Sequence, residues 1–469
     1  MRSLTLGGNM KIHVQNLGPL KEADFEVGDL TIICGKNNTG KTYATYALYG
    51  FLKTWKDLMH VGIGLPEIEE LLKQDTIRID LDRIWKERKK SIDGACKRYN
   101  GILHRVFASE EKKFKESEFH LQIGSDAWDP SESFSKTLAN KSYGNLKFQK
   151  EPNSSVLDVF LLREETNGKQ PPLVVLKELI ERQVEELLFA KILPDVFVAS
   201  AERTGVAIFR KDLDFARNRM LDQLGEKQDI DPFEFLNRVY TSYALPVRDN
   251  VDFDRNLEDL FKQDSYLEKD HPDILKKFSD IIGGTYKVVK GSIYFSLKQG
   301  GKRLLMNESS SAVRSLLDVG FYLRHCAEKG DLLIIDEPEL NLHPENQCRL
   351  ARLFACLVNV GLKVFITTHS DYIVKELNTL VMLSNKQRHT GEIMAEYGYQ
   401  ANELLDADRL RVFIADRKPI LLEGKTRKTR IDTFVPAEID HELGIKLSSF
   451  DEVINRMNKL QDEIIWGGS

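Results

Sequence analysis

Residues 29–49 read D-L-T-I-I-C-G-K-N-N-T-G-K-T-Y-A-T-Y-A-L-Y, and their order decides the fold. An apolar strand runs into Gly35-Lys36-Asn37-Asn38-Thr39-Gly40-Lys41-Thr42, a G-x-x-x-x-G-K-T loop, and a helix-compatible stretch follows at once. That context makes the loop a phosphate cradle. Its glycines let the backbone turn N–H groups inward at a helix N-terminus, whose partial positive charge favours anions. The spacing assigns Lys41 to the β- and γ-phosphates of ATP and Thr42 to Mg2+, with Gly35, Asn37, Asn38, Thr39 and Gly40 wrapping the phosphates.

Working outward, L-L-I-I-D-E (Leu332 to Glu337) is four apolar residues ending in two carboxylates. A strand buried in a sheet delivers such acids at its carboxyl edge, where ligands of α/β sheets bind. Asp336 is the expected Mg2+ ligand, directly or through water, and Glu337 is placed to polarise an attacking water. One strand later, V-F-I-T-T-H-S ends in His369, a position that suits a γ-phosphate sensor and water-orienting group.

Around these motifs the chain alternates strand (Asp331 to Ile335), helix (Pro344 to Val360), strand (Lys363 to Thr367) and helix (Asp371 to Leu380), which predicts a parallel α/β sheet. Lys11 to Cys34 reads as two strands, K-I-H-V-Q-N-L and D-L-T-I-I-C, joined by G-P-L-K-E-A-D-F-E-V-G. Residues 51–190 carry no chemical motif and read as a mixed helical and strand insertion. Its last helix bears Leu173, Leu176, Ile180, Val184 and Leu187 on one stripe, a core helix rather than a coiled-coil arm. The expected organisation is thus 11–50 and 191–390 as the two parts of the head, 51–190 as the insertion and 391–469 as a C-terminal mixed α/β region. In that last region strands are expected near 410–414 and 420–423 and a helix near 450–465; a helix is also expected at 312–327 and a hairpin at 285–297. The first nine residues, ahead of Met10, carry no argument.

Composition narrows the class. With 469 residues, 42% hydrophobic and 30% charged, the chain is globular, and no run approaches the roughly 20 apolar residues of a membrane span. The expectation is a cytoplasmic protein without membrane contact. A net charge of −5 spreads no positive field for nucleic acid, so DNA contact would need a local patch. The basic runs Lys86, Arg88, Lys89, Lys90 and Lys425, Arg427, Lys428, Arg430 are candidates, although such runs are commonly solvated faces. The five cysteines, without a C-x-x-C pair, read as small apolar residues.

Taken together, G-K-N-N-T-G-K-T, L-L-I-I-D-E-P-E-L-N-L-H-P and I-T-T-H-S resemble the ATP-binding-cassette type of P-loop ATPase head, in the branch containing SMC, RecF and the OLD-family ATPases. The resemblance implies ATP and Mg2+ as cofactors, Glu337 and His369 as the catalytic pair, and Asn341, Leu342 and His343 as the D-loop. It also implies a signature sequence that completes a neighbour's ATP site across at least a dimer. The matching place is N-E-S-S-S-A-V-R-S-L, with Ser311 at the signature serine, Ala312 and Val313 replacing two glycines, and Arg314 following. An ordinary serine-rich helix cap is the alternative there. A-E-R-T-G (Ala201 to Gly205) is similar to a stretch of OLD-like relatives; for Glu202 and Arg203, phosphate sensing, interface contact and a buried structural turn all stay open. The layout and the tail further resemble the ATPase subunits of bacterial phage-defence systems such as PARIS, Septu and retrons, with the AriA-type subunit of PARIS nearest. That implies a separate effector nuclease, TOPRIM-type more than HNH, and a phage-encoded trigger. The other class of function is a RecF- or SMC-like repair ATPase closing on DNA.

Overall fold

The computed structural model describes residues 10–124, 128–139, 145–162, 172–208, 243–289, 292–385, 389–420, 428–440 and 443–446. In chain order the strands are β1 (Met10–Leu17), β2 (Leu20–Val27), β3 (Leu30–Gly35), β4 (Thr76–Asp80), β5 (Glu118–Ile123), β6 (Phe134–Leu138), β7 (Asn145–Lys150), β8 (Val156–Leu162), β9 (Val196–Ala199), β10 (Gly284–Val289), β11 (Ser292–Leu297), β12 (Arg303–Leu305), β13 (Leu332–Asp336), β14 (Lys363–Thr368), β15 (Leu410–Ile420) and β16 (Thr429–Pro436). Nine of them form one sheet in the order β5-β1-β2-β16-β15-β3-β14-β13-β9. The half from β15 to β9 is parallel, and β1, β2 and β5 form an antiparallel meander at the other side.

The parallel strands are nearly continuous apolar runs because both faces are covered. The pleat divides them: Ile33, Leu332, Ile334 and Phe365 face one core, with the helix Lys41–Leu58, and Ile32, Leu333, Ile335 and Ile366 face the other, with the helices Pro344–Asn359 and Asp371–Ser384. All three chemical runs therefore end at the same carboxyl edge.

Several boundaries differ from those expected. The connection after Gly18 and Pro19 holds a strand, β2, whose Ala23, Phe25 and Val27 are buried at alternate positions between exposed or half-buried acids. The described residues between 51 and 190 form helices and a small antiparallel sheet, β4-β8-β7-β6, while β5 pairs instead with β1 at the edge of the main sheet. There Phe119 stacks on Phe51 of the Lys41–Leu58 helix, ring centroids 5.2 Å apart. The helix Leu173–Phe189 buries Leu176, Ile180, Val184 and Leu188, as a core helix does.

The larger difference concerns the C-terminal region. β15 and β16 lie in the middle of the sheet, β15 hydrogen-bonded in parallel to β3 from Leu410↔Leu30 to Ala415↔Gly35. β15 runs on to Ile420, and its antiparallel partner starts at Thr429 instead of 420–423. The hairpin of β10 and β11 is present. The single helix expected over 312–327 is broken into Ser311–Ser315 and Leu317–Phe321, with Leu316 between them at φ −108° and ψ 9°, and the second piece runs on as a π-helical turn, Tyr322–Cys326. The first nine residues, the 450–465 helix, Lys425 and Arg427 lie outside the described residues. All five cysteines are free thiols, Cys34, Cys96 and Cys356 buried. No helix among the described residues is long and apolar enough to cross a membrane.

Candidate nucleotide site

β3 hands the chain to its loop at Gly35 (φ 139°), Asn38 turns at φ 60°, and Gly40 (φ 89°) caps the helix that starts at Lys41. Both glycines are required by space as well as by φ. A Cβ on Gly35 would stand 2.5 Å from the Ala415 carbonyl oxygen, and one on Gly40 would meet Leu20 Cγ at 2.4 Å. The loop is thus squeezed between β15 and the β1–β2 turn. Thr39 Oγ1 donates to the Lys36 carbonyl at 2.8 Å, and Lys41 Nζ folds over the loop to donate to Gly35 O at 3.1 Å and Lys36 O at 2.8 Å. Burial pulls the Lys41 ammonium down from its ordinary value, opposed by Glu337 and Asp336.

Parallel pairing of β13 with β14 sets Asp336 opposite Thr367. Asp336 is buried; Oδ1 accepts from the Thr367 hydroxyl, and Oδ2 has no hydrogen-bond partner. Burial pushes this carboxyl up, and the hydroxyls of Thr367 and Thr42 counter part of the rise. An unpartnered buried carboxylate oxygen beside a hydroxyl on the first turn of a helix fits a Mg2+ ion that also takes phosphate oxygens. Among the described residues no three His, Cys, Asp or Glu side chains group into a cage by themselves, so Thr42 and Asp336 would hold such an ion together with the phosphates.

Glu337 adopts a left-handed conformation (φ 51°), its N–H donating to the Thr367 carbonyl at 3.1 Å. This turn directs its half-exposed carboxylate to His369 Nε2, 3.3 Å away. The hydrogen bond from His369, then its charge and that of Lys41, hold the Glu337 carboxyl below the usual glutamate range, despite burial that acts the other way. His369 is in turn fixed by its own N–H, which donates to Glu339 Oε1 at 2.6 Å. The arrangement offers an ionised carboxylate and an imidazole on one side of a phosphate cradle. It has the parts for polarising a water toward a terminal phosphate.

Three other expected groups are placed differently. Arg203, 1% exposed, donates from Nε to Ser315 O at 2.7 Å, from Nη1 to Ser200 O at 2.8 Å and Asp336 O at 2.6 Å, and from Nη2 to Glu337 O at 2.8 Å. Of the readings left open for it, the buried structural turn is the one its contacts describe. Glu202 is exposed and accepts from the Tyr46 hydroxyl at 3.0 Å. At the signature position it is Ser310, not Ser311, that caps the short helix by accepting from Val313 N at 3.3 Å. Arg314 turns back to the carbonyls of Met306 and Ser309, so its bonds stay within its own loop. Asn341 is exposed at φ 63°, Leu342 is buried, and His343 caps the helix Pro344–Asn359 by accepting from Glu345 N at 3.3 Å.

Sequence reasoning missed Thr367 and Glu339. Thr367 was legible in retrospect, since a parallel strand ending T-T-H beside one ending D-E pairs a hydroxyl with the acid. No local pattern marks Glu339, whose role depends on the fold of the loop after Pro338.

No curated protein matches the chain. Solved structures similar to it include an SMC head bound to the C-winged helix domain of ScpA (10% identity, TM-score 0.32, covering 90% of this chain and 97% of that one). The SMC head domain from Thermotoga maritima is similar at 11% identity and TM-score 0.30, over 92% and 98% of the two chains. So is an Smc head with an extended coiled coil bound to the C-terminal domain of ScpA, from Pyrococcus furiosus (11%, TM-score 0.31, 96% and 98%). The model of the AAA ATPase domain family matches residues 10–181 and 216–374, well over half of the 469 residues, and the chain therefore belongs to that family and is an ATP-hydrolysing P-loop ATPase.

Proposed function

We propose that ATP is held by the 35–42 loop, with Lys41 on the β- and γ-phosphates, and that Glu337 and His369 form the pair that orients and polarises the attacking water. The observation that carries this is the Glu337 carboxylate, kept ionised, 3.3 Å from His369 Nε2. Mg2+, held by Thr42 and Asp336, supplies charge neutralisation between the phosphates when bound. Ser311 and Arg314 are proposed to act on the nucleotide of a second copy, which makes the working unit at least a dimer. Their position in one chain, with Arg314 turned to its own loop, requires that the partner's approach reorient it.

At the level of biology the chain is proposed to be the cytoplasmic ATPase subunit of an anti-phage defence complex, of the AriA type found in PARIS, that controls a separate toxic nuclease in response to a viral trigger. The motif order and the 411–416 tail strand R-V-F-I-A-D support this by resemblance. A RecF- or SMC-like ATPase acting on DNA is the second reading; the exposed Arg417, Lys418, Lys428 and Arg430 along the β15–β16 hairpin favour it. Phage challenge of cells expressing this gene with and without its neighbouring gene tests the first reading. Protection that needs both genes is expected. Full protection by this chain alone, or Mg2+-dependent cleavage of nucleic acid by the purified protein, would reject it.

A further inference from the structure

A non-glycine residue at positive φ is strained and persists only where its surroundings hold it. Glu337 is such a residue, at the point where the chain leaves β13. The guanidinium of Arg203 lies directly behind it. An arginine fork presents five N–H groups in one plane, and here four of them serve backbone carbonyls from three separate segments: Ser200 after β9, Ser315 at the end of the helix that starts at Ser311, and Asp336 and Glu337.

We propose that Arg203 is a positioning residue for ATP hydrolysis, which by clamping the Asp336 and Glu337 carbonyls sets the direction of the Glu337 carboxylate and links it to the helix Ser311–Ser315. At 1% exposure the guanidinium is out of reach of a nucleotide, so it acts through the turn it grips at Asp336 and Glu337. Its charge is balanced from within: Asp318, on the Leu317–Phe321 helix, is buried beside it and faces Asp254 of the helix Leu245–Arg255. The two short helices on either side of Leu316 thus supply one of the carbonyls that the fork grips and a buried carboxylate near its charge. Alongside, Ser315 Oγ lies between the Ala312 carbonyl at 3.0 Å and the Leu340 carbonyl at 3.2 Å, four residues after Asp336, with one proton to share between them. A displacement of the Ser311–Ser315 helix therefore shifts the guanidinium and, with it, the turn at Glu337. Hydrolysis would answer to the position of that helix without any contact between the helix and the nucleotide of its own chain.

This inference rests on the assignment of Glu337 as the water-polarising group, and a double-mutant cycle separates the two. Lysine keeps the charge of Arg203 but not the fork, so Arg203→Lys should lower kcat by about 10-fold or more with KM and the affinity for a fluorescent ATP analogue within about 3-fold of the parent. Combined with Glu337→Gln it should add no more than about 3-fold to the loss of Glu337→Gln alone, because the clamp has nothing left to aim. Parental turnover in Glu337→Gln alone overturns the assignment of Glu337 and this inference with it. A slow Glu337→Gln with fully multiplicative loss in the double variant, or a matching loss of nucleotide affinity in Arg203→Lys, overturns this inference alone. Where Arg203→Lys does not fold, Arg203→Gln takes its place in the cycle, and failure of both to fold assigns the residue to the core and rejects the proposal.

Discussion

Lys41 and Glu337 sit on opposite sides of the same small space and should fail in different ways when changed. Lys41 brings the only ammonium that folds over the loop among the described contacts, and without a nucleotide it is held by the Gly35 and Lys36 carbonyls. Lys41→Ala removes the charge that meets the γ-phosphate, so ATP affinity should fall about 10-fold or more and turnover on the order of 100-fold or more, read by equilibrium binding and phosphate release. Glu337→Gln keeps the backbone turn and the Mg2+ ligands, and it should bind ATP as the parent does while turnover drops on the order of 100-fold. Parental turnover in either variant would remove that residue from the site.

The helix Leu173–Phe189 is where a pH-dependent stability is expected. It buries two carboxylates one turn apart against the segment after the Lys41–Leu58 helix: Glu181 Oε1 accepts from Ile63 N at 3.1 Å, and Glu185 is 3% exposed. Burial, with Glu181 adding to it, pushes Glu185 up to about 8. An acid with a folded pKa above its unfolded value of about 4.3 is favoured by the fold while protonated. Its contribution is full below the unfolded value and is lost as pH rises toward 8. Glu185→Gln should therefore raise Tm relative to the parent, by a margin that grows from pH 5 to pH 8.5 and corresponds to on the order of 3 kcal/mol at the upper end. Parallel Tm curves for the two proteins would show that Glu185 is not buried in this way.

In the whole molecule, the central position of β15 and β16 and the proposed sharing of the nucleotide site between copies have separate consequences. A chain ending at residue 390 retains every nucleotide motif, yet it strips β3 of β15, one of its two parallel neighbours, and leaves β2 without β16. Such a truncation should be insoluble or protease-sensitive rather than a minimal active head, a result that limited proteolysis and circular dichroism would read directly; a folded, ATP-binding 1–390 fragment would contradict it. For the assembly, mixing Lys41→Ala with Ser311→Arg protein should restore part of the turnover that each lacks, since one of the two shared sites in a mixed dimer is then intact. Absence of recovery in verified mixed dimers would count against completion of the site between subunits.

The glycine loop, the acid pair and the histidine after β14 were legible as a candidate site because each is local: a glycine loop between strand and helix, or an apolar strand with polar residues at its end, is recognisable wherever the strand finally lies. Sequence order alone also implied that Asp336 and His369 end adjacent parallel strands. What it could not supply was the neighbour of β3. Hydrogen bonding between strands carries no sequence label, and β15 comes from 375 residues further along the chain, where its alternation looks like that of any half-buried strand. β2 was hidden for a related reason, its buried face being only every second residue amid acids that point outward. The role of Arg203 was decided by tertiary structure alone. A fork that grips carbonyls of three distant segments exists only after the sheet has brought β9, β13 and the Ser311–Ser315 helix together, and backbone carbonyls, which every residue owns, leave no trace in the sequence.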